Sequence, residues 1–230
     1  MGNFFRLSDA FGALFVSTAG LVFVVAIVFA STVSESFTDV NIWAASLGWQ
    51  FSIIVMVLMF ARRRGNFFVV LRLNKAPNIQ VIFLGLGLSY LVLIGYLLVI
   101  FALELVLGLD LTSFKRGNAV PLPGPEGRPF IAWLLLAVTT ICGAPVAEEL
   151  LYRGVIFQGL TANWPNWIAH CVSAGLFSIT HLDIGVIIPI FGIGIIFSMI
   201  FVRQKSLWAS IGIHALFNTV GFLAMFVSEV

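Results

Sequence analysis

Long apolar runs, separated by short polar or charged connections, dominate the chain. A helix needs about 20 apolar residues to span a bilayer. Seven stretches qualify or nearly do: roughly 13–33, 42–61, 80–107, 130–152, 167–182, 185–202 and 207–228. The pattern predicts an all-α, polytopic transmembrane bundle of about seven spans, eight if one long segment is split. The third stretch is long enough to tilt or to begin as an interfacial helix. The fifth is short and contains His170 and His181. The first is longer than a signal-peptide core of about 7–15 residues, so it reads as a retained span.

Charges between the runs orient the bundle. The connection Ala61 to Lys75 carries Arg62, Arg63, Arg64, Arg72 and Lys75 and no acid, and Arg203 and Lys205 follow the sixth stretch. Both connections fall on the same side by parity, while the acidic SESFTD, Ser34 to Asp39, falls on the other. The positive-inside rule places the arginine loops, and with them the N-terminus, in the cytoplasm. The connection Leu111 to Phe130 is rich in proline and glycine and reads as an extramembrane turn region, although Lys115, Arg116 and Arg128 run against the charge bias. The chain thus divides into N-terminal helices 1–110, a loop 111–129 and a C-terminal core 130–230.

Composition agrees with this picture. Hydrophobic residues make up 60% and charged residues 10% of the 230 positions, against roughly 25% charged in a soluble domain. The protein is expected in a membrane, the plasma (inner) membrane if it is prokaryotic. A net charge of +2 argues against a nucleic-acid partner. Cys142 and Cys171 both lie in apolar runs, form no C-x-x-C pair, and are expected to pack.

Polar residues inside the spans are costly, about 2.5–3.5 kcal/mol for a charge at the bilayer centre, and need a partner or a task. The fourth run, Phe130 to Ala147, holds no charge and then meets EELLYRG, Glu148 to Gly154. Adjacent helical residues point about 100° apart, so Glu148 and Glu149 face differently. Glu149 and Arg153, four apart, share a face and can neutralise each other. Glu148 is the carboxylate left over, either snorkelling at a helix end or facing a cavity loosened by Pro145 and Gly143. FSITH, Phe177 to His181, places one histidine in an apolar segment. IHALFN, Ile213 to Asn218, puts His214 and Asn218 on one helical face. Those two either bond neighbouring helices or point into a cavity. His170 reads as interfacial.

A carboxylate beside a histidine can take a proton from water and make a nucleophile. A histidine with an asparagine can donate hydrogen bonds to an oxyanion. Peptide hydrolysis without a covalent intermediate is the chemistry this set suits. No G-x-S-x-G elbow and no paired cysteine appears. Glu148, His181 and His214 also form a conceivable zinc ligand set with an open position, although H-E-x-x-H is absent.

EELLYR, FSITH and HALFN fit E-E-x-x-x-R, F-x-x-x-H and H-x-x-x-N in that order. The chain from about Phe130 to Ser228 therefore resembles the CPBP family, the type II CAAX prenyl endopeptidases and bacteriocin-processing (Abi) proteins. The resemblance implies an intramembrane glutamate protease opening toward the cytoplasm. It assigns the general base to Glu148, water positioning to His181 and the oxyanion hole to His214 and Asn218. Glu149 and Arg153 would support them and Phe177 would line the site. The favoured mechanism requires no cofactor, with zinc as the alternative. The substrate would be a peptide or membrane protein, prenylated or not. Two non-hydrolytic readings stand beside this one: an immunity or scaffold protein, and a transporter, against which no related halves are visible.

Overall fold

The computed structural model describes residues 4–32, 39–115 and 130–227. Every regular element among them is a helix. In chain order these are α1 (Leu7–Thr32), α2 (Asp39–Arg64), the single turn α3 (Phe67–Val70), α4 (Ile79–Leu107), the short α5 (Thr112–Lys115), α6 (Phe130–Leu160), α7 (Asn166–Ile179), α8 (Ile184–Gln204) and α9 (Leu207–Val227). Five described helices are long and apolar enough to cross a membrane: Val40–Arg64, Ile79–Leu107, Phe130–Leu160, Ile184–Gln204 and Leu207–Met225. Each of the seven apolar stretches coincides with a helix. At about 1.5 Å per residue α7 is roughly 21 Å long, short of a hydrocarbon core of about 30 Å. The connections at 33–38 and 116–129 lie outside the described residues.

The two basic connections meet at one end of the bundle. Leu207 N–H donates to Arg72 O at 3.0 Å, Trp208 Nε1 to Leu73 O at 2.8 Å, and Ser206 Oγ to Lys75 O at 2.5 Å. Arg64 pairs with Asp9 at 2.7 Å, which brings the start of α1 to the same end. The parity argument for a shared side therefore holds.

The N-terminal helices are not peripheral to the C-terminal ones. α1 and α2 pack on α6, and α4 packs on α8 and α9. One apolar cluster centres on α6 and includes Val57, Leu151, Ile156 and Phe201; a smaller one joins Ile82, Ile193, Phe197 and Ile213. Phe83, Leu84, Leu91 and Leu98 on α4 remain exposed, as suits a face turned to lipid. α8 approaches α7 closely because residue 194 is glycine: a Cβ there would sit 3.1 Å from Ala174 Cβ and 3.2 Å from its Cα. Cys142 and Cys171 are both exposed. Their apolar surroundings are the outer face of the bundle, and the expectation that they pack does not hold.

α6 is not uniform. Val138–Gly143 and Leu150–Phe157 are π-helical. Ala144 N–H reaches back five residues to Thr139 O. Continued by one step, that register would ask residue 145 to donate to Thr140 O, and proline has no N–H to give. The loosening expected around Pro145 takes this form.

Candidate active site

Arg153 lies in the second π-helical segment, fully buried. Its Nη1 donates to Glu149 Oε1 at 2.6 Å and its Nη2 to Gly194 O at 3.0 Å. The guanidinium also lies over the rings of Phe177 at 4.5 Å and Phe197 at 5.3 Å. Ion pairing, a carbonyl and two aromatic faces replace the water this cation has lost. The brace expected from the four-residue spacing is present, with both side chains at 0% exposure.

Glu149 has a second task that the spacing does not reveal. His214 Nδ1 lies 3.1 Å from the same Oε1. A carboxylate oxygen that already accepts from arginine can only accept here too, so Nδ1 carries the proton. This fixes the tautomer and turns Nε2 away from Glu149. Nε2 lies 3.9 Å from Glu148 Oε2, too far for a direct hydrogen bond. Glu148 Oε2 is buried and has no hydrogen-bond partner. Glu148 keeps 21% of its side-chain surface accessible. The helix continues past it to Leu160, so it faces a cavity and does not snorkel at a helix end.

His181 sits in the turn just beyond α7, not within a helix. Its Nδ1 donates to Phe177 O at 3.0 Å. Thr180 Oγ1 donates to the same carbonyl at 2.8 Å, and Tyr152 OH lies 3.1 Å from Thr180 Oγ1. Asn218 Nδ2 donates to Thr140 O at 2.9 Å, the carbonyl that Pro145 cannot serve. One of its two amide hydrogens remains for another acceptor. His170 lies apart, half-buried, with Nδ1 2.7 Å from Ser198 Oγ and its ring against Phe157.

One cavity of about 590 Å³ gathers Glu148, His181, His214, Asn218 and Phe177. Glu149 and Arg153 stand behind it. The motif residues on α6, α7 with its following turn, and α9 thus converge. Trp43, Trp49 and Gln50 of α2, and Thr139 and Thr140 of α6, also line it. The sequence reading passed over these five. The polar residue inside GWQ, Gly48 to Gln50, was the available signal for the α2 group.

Gly159, near the end of α6, abuts Arg6 at the basic end. Counting from Leu160, Glu148 stands about 18 Å along the helix, beyond the middle of a core of about 30 Å. The cavity extends from there toward Trp43 and Val186, near the starts of α2 and α8, away from the basic loops. The positive-inside assignment and an opening toward the cytoplasm therefore pull in opposite directions.

Among the described residues, no three His, Cys, Asp or Glu side chains are grouped to hold a metal ion. His214 Nε2 lies 3.9 Å from Glu148 Oε2, further than two ligands sharing a tetrahedral zinc, about 3.3 Å for bonds near 2.0 Å. As placed, Glu148, His181 and His214 are not drawn together to ligand distances.

Residues 130–220 match the profile of the Rce1-like family, described as type II CAAX prenyl endopeptidase Rce1-like. The chain is 35% identical over 143 residues to the membrane-embedded CAAX protease MroQ of Staphylococcus aureus (strain USA300), covering 58% of this chain and 56% of that one. It is 30% identical over 86 residues to the putative membrane peptidase YdiL of Bacillus subtilis (strain 168), covering 37% and 35%. The aligned stretches span about a third to a half of those relatives' lengths. No solved structure matches the chain. The family match covers all three motifs and excludes α1, α2 and α4.

Proposed function

We propose that this protein is an intramembrane peptidase that hydrolyses a peptide bond with water activated by Glu148. The observation that carries the reading is the single cavity holding Glu148, His181, His214 and Asn218, with a buried Glu148 oxygen that no protein group satisfies. The family match and the two membrane peptidase relatives support the same class.

In the proposed reaction Glu148 removes a proton from water while the oxygen attacks the scissile carbonyl carbon. His181 Nε2 accepts a hydrogen bond and orients that water. The carbonyl oxygen becomes an oxyanion and receives the second Asn218 amide hydrogen and, when the ring is protonated, His214 Nε2–H. Glu149 then stabilises the imidazolium through Nδ1 and holds its plane. The carbon–nitrogen bond breaks as the proton on Glu148 passes to the leaving amine, and the second water proton leaves the new carboxyl group for that amine, giving a carboxylate and an ammonium. Arg153 pairs with Glu149 behind the cavity at 2.6 Å. The mechanism uses no metal. The substrate is proposed to be a membrane-associated peptide, with CAAX-type prenylated termini the first class to try.

The test is cleavage of quenched fluorescent peptides, farnesylated and plain, by purified protein in lipid. Cleavage that vanishes in Glu148→Ala and survives a zinc chelator is expected. Cleavage abolished by chelation would replace this mechanism with a metal-dependent one, and turnover unchanged in Glu148→Ala would remove Glu148 as the base.

A further inference from the structure

Three buried polar atoms on the cavity wall have no hydrogen-bond partner: Glu148 Oε2, Trp49 Nε1 and Gln50 Oε1. Folded proteins pair the large majority of buried side-chain polar atoms. Glu148 has its task in the proposed reaction. Gln50 does not, and it is only 6% exposed. It sits on α2, outside the residues that match the family.

Its position is built into the packing. The Gln50 amide lies over Gly143, in the space that any Cβ at 143 would take. Gly143 closes the first π-helical segment of α6. On the far side of that segment Asn218 holds Thr140 O, and on the near side Thr139 Oγ1 reaches Trp43 O at 3.5 Å. The segment is thus clasped between α9 and α2, with Glu148 a little further along the same helix. Gln50 rests its oxygen on this segment and also lines the cavity that holds Glu148.

A peptide entering this cavity brings backbone N–H and C=O groups into a compartment walled largely by Ile190, Ile193, Phe197 and Phe217. Each such group left unpaired in a membrane interior costs several kcal/mol. A carboxamide offers one acceptor and two donors and matches an extended backbone at either polar group.

We infer that Gln50 binds the backbone of an extended peptide substrate in the cavity beside Glu148. This rests on the peptidase reading for the identity of the ligand. It adds that the substrate is clamped by α2, through main-chain groups, so that side-chain preference is set elsewhere in the cavity.

Binding without turnover separates the two claims. The probe is a fluorescein-labelled, leucine- and alanine-rich peptide, measured by anisotropy against the Glu148→Ala protein in nanodiscs. Gln50→Leu in that background should weaken binding about tenfold, the equivalent of one hydrogen bond of ordinary strength. It should melt no lower than its parent, because it removes an unsatisfied buried polar group. A series of the same peptide with single backbone N–H groups replaced by ester oxygen should show one position that weakens binding to the parent and not to Gln50→Leu. Equal affinity for both proteins, no binding to the parent, or a lower melting temperature for Gln50→Leu would overturn the inference. Binding that depends on Gln50 in a protein that cleaves nothing would instead sink the hydrolytic reading and leave the clamp standing.

Discussion

Removing the charge of Glu149 tests the electrostatic account of the site most directly. Glu149→Gln keeps an oxygen where Oε1 accepts from Arg153 and His214 and removes only the negative charge. Arg153 is then a fully buried cation held by Gly194 O and two aromatic faces. Two unit charges about 4 Å apart attract by about 4 kcal/mol at an effective dielectric of 20, and the pair here is at 2.6 Å. Breaking one partner of a buried pair costs about 3–5 kcal/mol in other proteins. For a chain of this size each kcal/mol lowers the melting temperature by about 2–4 °C, so a fall of roughly 10 °C is expected. Arg153→Met should cost a similar amount by stranding Glu149. The double variant Glu149→Gln/Arg153→Met carries no stranded charge and should recover more than half of either loss. Its peptidase activity should stay low, because His214 loses the carboxylate that stabilises its protonated ring. Dye-monitored thermal unfolding in detergent measures the cycle. A Glu149→Gln protein within about 1 kcal/mol of wild type, or a double variant whose loss is the sum of the singles, would show that the buried pair is not coupled in this way.

The remaining predictions concern neighbouring groups. Glu148→Gln should abolish peptide cleavage with unchanged or raised melting temperature, since the carboxylate has a buried unpaired oxygen; a large destabilisation would contradict the cavity-facing assignment. Asn218→Leu should cost about 1–3 kcal/mol by orphaning Thr140 O, and Pro145→Ala should restore part of it by supplying the missing N–H, both read from melting curves. Gly194→Ala should destabilise by about 1–3 kcal/mol through overpacking against Ala174 and reduce cleavage by shifting the carbonyl that holds Arg153; full activity would show that α7 and α8 yield at no cost. In a protein freed of its two native cysteines, Ser46→Cys should react with a membrane-impermeant thiol reagent from the face opposite that which labels Arg63→Cys.

What the sequence determined by itself is what lies within one helix. Apolar run length set the existence and approximate bounds of seven helices, because a bilayer forces backbone groups to pair internally over a fixed thickness. The spacing of Glu149 and Arg153 set their pairing, because residues four apart on a helix are neighbours whatever surrounds them. The three motifs named the residues that the cavity gathers, and the family match falls on the same stretch. Which helix faces meet is settled by packing between distant parts of the chain. His214 is held by Glu149 from 65 positions away, and no helical period relates two elements that touch through a glycine contact such as Gly194 on Ala174. His181 left its helix because α7 stops at Ile179. The outward cysteines were misread because an apolar run looks the same whether it faces lipid or core. Gln50 was passed over because a single amide in an apolar span acquires meaning only from the notch at Gly143 opposite it, and that notch belongs to the packing of α2 on α6.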